Sequence, residues 1–264
     1  MEGYAFSTVT AYLAALPSFY SALGLSVSVS RLECPTLHIL RQGLRRLAPP
    51  SRGPKKGISI PMLRKFRDSL DSSDRFQLAL WAAISVGFFS FLRAGNLVPR
   101  SAQDPSGVLF LRRSDIKFRD DHAVLKVRRS KTNQFGDRKV CIPIPEISGD
   151  PICPVLALKA LFRAHKAIAT LPAFSFSPFR WVCYSDLLKG VKSVAILSGK
   201  DPARFGCHSL RRGGATFAAD SGVPPYFIKL QGDWASDCYT RYIALSPESR
   251  MTAPSLMRDA VRLH

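Results

Sequence analysis

Fifteen consecutive residues without a charge, Leu78 to Leu92 (LALWAAISVGFFSFL), constrain this chain more than any other stretch. Such a segment must be hidden from water, either in a bilayer or at the centre of a fold. It falls short of the about 20 residues that span a bilayer, and Ser85, Gly87 and Ser90 interrupt its apolar character. The expectation is a buried core helix, opened by Asp71 to Asp74, around which the rest of a domain must wrap. The chain has the material: 264 residues, 46% hydrophobic, with 17 Phe, 7 Tyr and 3 Trp, which excludes disorder as the main state.

The surrounding pattern predicts a mainly α fold with a small antiparallel β-sheet, an α+β chain. Two helices come first, Ser7 to Leu23, kinked or broken at Pro17 and closed by Gly24, and Pro35 to Leu47. They make a thin core, so residues 1–50 are expected to be a partial helical domain. Ala48 to Gly57 (APPSRGPKKG) is rich in Pro, Gly and cations and has no periodicity. Residues 51–57 are therefore assigned as a linker and 58–264 as a second domain. In that domain Pro61 to Leu70 follows a Ser59 cap and precedes the apolar helix. Val108 to Leu111, Ala123 to Val127 and Val140 to Pro145 read as strands, the last two joined by a turn at Thr132 to Asp137. Pro154 to His165, Ser185 to Leu197, Ser209 to Asp220, Pro224 to Leu230 and Ser236 to Leu245 read as helices.

Lys and Arg number 38 against 19 Asp and Glu, a formal net charge of +19. That imbalance points to a polyanionic partner, nucleic acid first and an anionic membrane surface second. The six cysteines, Cys34, Cys141, Cys153, Cys183, Cys207 and Cys238, form no C-x-x-C pair and have no histidine at zinc spacing, so they are expected to be reduced thiols of an intracellular protein. Met1 to Phe6 lacks the basic start and apolar run of a signal peptide.

Three places set cations or nucleophiles where a fold has little need of them. Arg93 ends the uncharged run in FLRAGNL, either as the cation that complements a helix C-terminus or as a guanidinium delivered to a site from a rigid base. Lys131 sits in SKTNQ at the hairpin turn, either as an edge-protecting cation or as one that tracks phosphates. The third is His208-Ser-Leu-Arg211, followed by Trp234, Tyr239 and Tyr242. An H-x-x-R at a helix start puts imidazole and guanidinium on one face, at the helix end that favours anions.

In order and spacing, FLRAGNL, SKTNQ, HSLRRGGAT and GDWASDCYTRYI resemble the catalytic domain of the tyrosine recombinases, the phage integrase superfamily. The phrasing is most similar to recombinases of eukaryotic Crypton- and DIRS-like mobile elements. The resemblance covers roughly Ser59 to Leu245, and the upstream helices resemble a partial SAM-like core-binding domain. It implies that Arg93 and Arg211 hold the scissile phosphate, that Lys131 is the hairpin lysine and that His208 opens the H-x-x-R motif. It further implies that Trp234 fills the His/Trp position and that Tyr242 is the nucleophile, with Tyr239 the rival. The implied activity is DNA strand cleavage and rejoining through a 3′-phosphotyrosyl intermediate, in recombination or integration of a mobile element. A non-catalytic DNA-binding descendant and a type IB topoisomerase-like enzyme are the alternatives. The implied partners are double-stranded DNA and further copies of the chain, dimer to tetramer, in the nucleus; no membrane, small-molecule substrate, cofactor or metal is expected.

The chemistry of the residues is consistent with these roles. A phenol with a pKa near ~10 needs a base or cations nearby to attack at neutral pH. Always-charged guanidiniums suit the charge that builds on the nonbridging oxygens, and Lys131 can protonate a departing 5′ oxygen. No ordered set of carboxylates suggests two-metal phosphoryl transfer. The chain departs from the family pattern at Asn96, where many members have an acid, and in an N-terminal domain short by two or more helices. Met251, Leu256, Met257, Val261 and Leu263 form an apolar stripe in the tail, able to dock on a neighbour or on its own domain.

Overall fold

The structure, a computed structural model, describes residues 6–25, 34–48, 55–103, 109–131, 133–252, 254–255 and 257–258. The residues divide into two compact units, Met1–Pro54 and Lys55–His264. In the first, α1 (Phe6–Ala22) runs continuously through Pro17, and α2 (Pro35–Leu47) starts on a proline whose missing N–H would be unpaired there anyway. No side chain of α2 is buried, and Leu40, Leu44 and Leu47 are exposed along one stripe.

The second unit is built around the uncharged segment. After α3 (Ile60–Asp68), which buries Met62, Leu63 and Phe66, comes α4 (Arg75–Ser90). Asp74 caps α4, its carboxylate accepting the Phe76 N–H at 2.8 Å and the Gln77 N–H at 3.4 Å. The polar interruptions have packing roles. Ser85 donates to the Ile152 carbonyl at 2.9 Å, and bare Gly87 lets Leu97 and Leu210 close on the helix. The helix stops two residues short of the sequence expectation, because Phe91 takes a left-handed backbone at φ 52°. A four-residue turn, α5 (Ala94–Leu97), begins directly after Arg93.

Three antiparallel strands follow, β1 (Ile116–Phe118), β2 (His122–Val127) and β3 (Val140–Pro145), in that order across the sheet. Ala123, Leu125 and Val127 of β2, with Ile142 and Ile144 of β3, face the core at every second position. The expected strand at Val108 to Leu111 does not form among its described residues, 109–111. Val108 lies outside the described residues; Leu111 donates to Asn96 and accepts from Ala173, single bonds to separate segments instead of a ladder. Past α6 (Pro154–Ala164), a small hairpin of β4 (Ser175–Ser177) and β5 (Arg180–Trp181) was not foreseen.

The last third holds α7 (Tyr184–Leu197), α8 (His208–Asp220) and α9 (Pro225–Gln231). Helix α8 lies close against α4 and the segment before α3. A Cβ on Gly214 would stand 2.0 Å from the Phe88 carbonyl, and one on Gly213 2.0 Å from that of Ile58. The helix expected over Ser236 to Leu245 is a short 3-10 turn, Asp237–Arg241. Thr216 of α8 explains the difference: its hydroxyl donates to the Tyr242 carbonyl at 3.2 Å and accepts the Ala244 N–H at 3.1 Å, holding that strand of chain along α8. One further turn, α10 (Pro247–Arg250), lies in the tail, whose Leu256, Val261 and Leu263 lie outside the described residues, as does residue 132 of the hairpin turn and residues 49–54 of the linker. Lys56 and Ile58 donate backbone bonds to Arg204 and Ser209, so the linker's end is part of the second unit. All six cysteines are free thiols, and no helix among the described residues is long and apolar enough to cross a membrane.

Candidate active site

Two groups of residues meet at the start of α8. The first is an aromatic cluster around Arg211. This arginine is 1% exposed, a large penalty for a charge unless its hydrogens are used. It donates from Nη1 to the Phe91 carbonyl, which the left-handed turn after α4 presents, and from Nη2 to the Gly232 carbonyl at 2.8 Å. Its guanidinium lies over the Trp234 ring, 3.6 Å from the centroid, and 5.4 Å from the centre of Tyr242. Trp234 in turn packs against Tyr242 at 5.4 Å, Tyr239 at 6.1 Å and Phe91 at 6.3 Å between ring centres. Burial first, and then the charge of Arg93, push the Arg211 pKa down to about 9, with Tyr242, Asp233 and Cys238 acting in the opposite sense. It remains a cation at neutral pH.

The second group lines an open cavity of about 240 Å³ that includes Arg93, Lys131 and His208 along its walls, with Asn96, Tyr184 and Cys207. Arg93 comes from the link between α4 and α5, Lys131 from the tip of the β2–β3 hairpin and His208 from the first position of α8. An anion entering the cavity meets side chains from three separate elements. His208 joins the two groups, its ring 6.4 Å from that of Tyr242. Although the residue is exposed overall, loss of hydration on one side of the ring, then the charges of Arg211 and Arg93, hold its pKa below the ordinary histidine value. At neutral pH it is an uncharged imidazole able to take a proton.

Sequence reasoning thus named seven residues, Tyr239 as the rival nucleophile among them, that the fold gathers into one region. It brings Trp234, Tyr239 and Tyr242 onto Arg211, and Arg93 and Lys131 to the cavity wall. It does not bring Arg211 to that wall, because both of its terminal nitrogens are turned onto protein carbonyls. Tyr239 is 9% exposed, whereas Tyr242 is only half-buried and is the tyrosine beside His208.

Four contributors went unrecognised in these roles. Asn96 is buried and donates from Nδ2 to the Leu109 carbonyl at 3.0 Å and to the Arg129 carbonyl at 2.7 Å, tying the Arg93 turn to the lysine hairpin. Asp233, at φ 48°, accepts from Ser130 at 2.9 Å and from Arg138 at 3.1 Å. Tyr184 and Cys207 share a hydrogen bond at the cavity edge. Cys207, followed by burial, holds the phenol above its ordinary pKa, and burial raises the thiol, so both stay protonated at neutral pH. The visible signal for Asp233 is an acid after a glycine at a helix end, where Asn or Asp tolerates positive φ.

Solved structures with the same arrangement of elements decide the fold. The Tn1549 transposon integrase in complex with a circular intermediate DNA superposes with a TM-score of 0.61 at 13% identity, over 98% of this chain and 81% of that one. The XerA recombinase superposes with a TM-score of 0.53 at 18% identity, over 97% and 77%. The fold is that of the tyrosine recombinase catalytic domain. The XerH site-specific recombinase, in a post-cleavage complex with its palindromic difH substrate, matches 79% of this chain with a TM-score of 0.57 at 17% identity; the matched region spans 55% of the XerH chain. No protein-family profile and no curated protein matches the sequence. In this chain the H-x-x-R sequence opens α8, Lys131 lies in the β2–β3 hairpin, and Tyr242 directly follows the 3-10 turn Asp237–Arg241.

Proposed function

We propose that this chain cleaves and rejoins DNA strands with Tyr242 as nucleophile. The supporting observation is the pair of groups joined at His208: a half-buried tyrosine on a neutral imidazole and a buried guanidinium, beside a cavity walled by Arg93 and Lys131. In this reading the Tyr242 oxygen bonds to the phosphorus of a DNA phosphodiester while His208 accepts the phenolic proton. The bond from phosphorus to the 5′ oxygen breaks, and Lys131 gives that oxygen a proton. Arg93 meets the nonbridging oxygens in the cavity. Arg211 adds its positive charge from behind, over the Trp234 and Tyr242 rings. The 3′-phosphotyrosyl link conserves the energy of the broken bond, so a 5′-hydroxyl from another strand can reverse the step without a nucleotide cofactor.

Carried further, the reading is recombination or integration of a Crypton- or DIRS-like mobile element, by two to four copies of the chain on double-stranded DNA in the nucleus. The DNA carried by the Tn1549 and XerH neighbours and the +19 charge support a DNA partner. One observation favours a second reading, a DNA-binding protein without strand transfer: Arg211 is 1% exposed and each of its terminal nitrogens donates to a protein carbonyl. A covalent trap on a nicked suicide duplex separates the two. Strand transfer leaves a protein–DNA adduct that survives denaturation, and binding alone leaves salt-sensitive retention and no adduct.

A further inference from the structure

We propose that Asp233 is a positioning residue that sets the hairpin lysine, Lys131, against the leaving oxygen; this rests on the strand-transfer reading above. Lys131 sits on an exposed hairpin tip, on a side chain with four rotatable bonds, so its reach to one atom depends on where the backbone of the tip is held. The tip closes on itself through the Ser130 and Asn133 backbone pair, at 3.1 and 3.0 Å. Its two flanks then converge on a single carboxylate. Ser130, directly before Lys131, donates to Oδ2 of Asp233 at 2.9 Å, and Arg138, on the returning side, donates to Oδ1 at 3.1 Å. The carboxylate is 10% exposed and buried Ser130 shelters its bond from water, while Arg138, 56% exposed, closes the contact from the solvent side.

The other end of the contact matters equally. Asp233 stands between Gly232, whose carbonyl accepts from Arg211, and Trp234, whose ring carries the Arg211 guanidinium. One turn therefore fixes the hairpin lysine relative to the arginine and tyrosine group. The turn has a left-handed backbone at φ 48°, where glycine would sit without strain. An aspartate there costs conformational energy, and its return is the two bonds to the hairpin.

The test compares two nicked suicide duplexes of one sequence that the wild-type chain binds. One carries an ordinary phosphodiester at the cleavage point and the other a sulfur in place of the 5′ bridging oxygen. A thiolate leaves without a proton, so the sulfur duplex bypasses the lysine. The variants are Ser130→Ala, Asp233→Gly, which removes the carboxylate without straining the backbone, and Asp233→Asn, which keeps the shape, with Lys131→Ala as reference. The expected result is adduct formation slowed by about 10- to 100-fold on the oxygen duplex for Ser130→Ala and Asp233→Gly, partly restored by Asp233→Asn, and near-wild-type rates for all on the sulfur duplex. Equal slowing on both duplexes, or no slowing on either, overturns the role of Asp233. Absence of any adduct from the wild type on both duplexes removes the strand-transfer reading itself, and this proposal with it.

Discussion

Tyr239 and Tyr242 are three residues apart, yet their surroundings differ. Tyr239 is buried under Trp234, whereas Tyr242 is half-buried and touches His208. Tyr242→Phe is expected to abolish covalent adduct, while Tyr239→Phe keeps it, read on denaturing gels. Lys131→Ala is expected to slow cleavage by about 10²- to 10⁴-fold, the usual worth of a positioned acid. The pH profile follows from His208: its pKa is held below the ordinary value, so the base form is filled before neutrality. The rate of single-turnover cleavage should rise with pH along an acid limb placed below the normal histidine range and be flat through neutral pH; His208→Gln should lose that limb. At this scale the sequence exposed His208, Arg211, Trp234 and Tyr242, because their motifs are local. It hid Asp233, whose bond to Ser130 spans 103 positions, and it could not show that Arg211 turns inward onto the carbonyls of Phe91 and Gly232.

At the scale of elements, α4 is held by its cap and by close approach of α8. Asp74→Ala should lower unfolding free energy by about 1 kcal/mol in urea titrations, since two helix N–H groups lose their acceptor. Gly214→Ala is expected to be worse, about 1–3 kcal/mol, because its Cβ would stand 2.0 Å from a backbone carbonyl with no room to yield. Helix α4, apolar all round, and helices with one periodic apolar face, such as α6 and α7, were legible in the sequence because burial dictates their pattern. The segments that failed are those whose partners are distant. Leu111 bonds to Asn96 and Ala173 rather than to a neighbouring strand, and Thr216 draws the chain after Tyr242 along α8. The β4–β5 hairpin is too short for alternation to register.

For the whole molecule, the +19 charge has a definite consequence. Binding to duplex DNA should weaken steeply with salt, log K falling with log salt at a slope of about −0.9 per phosphate neutralised, measured by fluorescence anisotropy. A flat salt response would leave the charge unexplained. The two units divide between Pro54 and Lys55, inside the Pro-, Gly- and cation-rich stretch, and the backbone bonds of Lys56 and Ile58 to Arg204 and Ser209 were not legible in the sequence. The fold carries the site on the second unit alone, with the arginine, lysine and tyrosine contributed by elements more than 100 positions apart in places and brought together around α8. The central claim is that this assembly transfers DNA strands. The most direct measurement is the denaturation-resistant adduct on a nicked suicide duplex, with wild type and Tyr242→Phe side by side. The expected result is an adduct from the wild type that vanishes in Tyr242→Phe. An adduct that persists in Tyr242→Phe, or a wild type that binds the duplex in low salt without ever linking to it, contradicts the account.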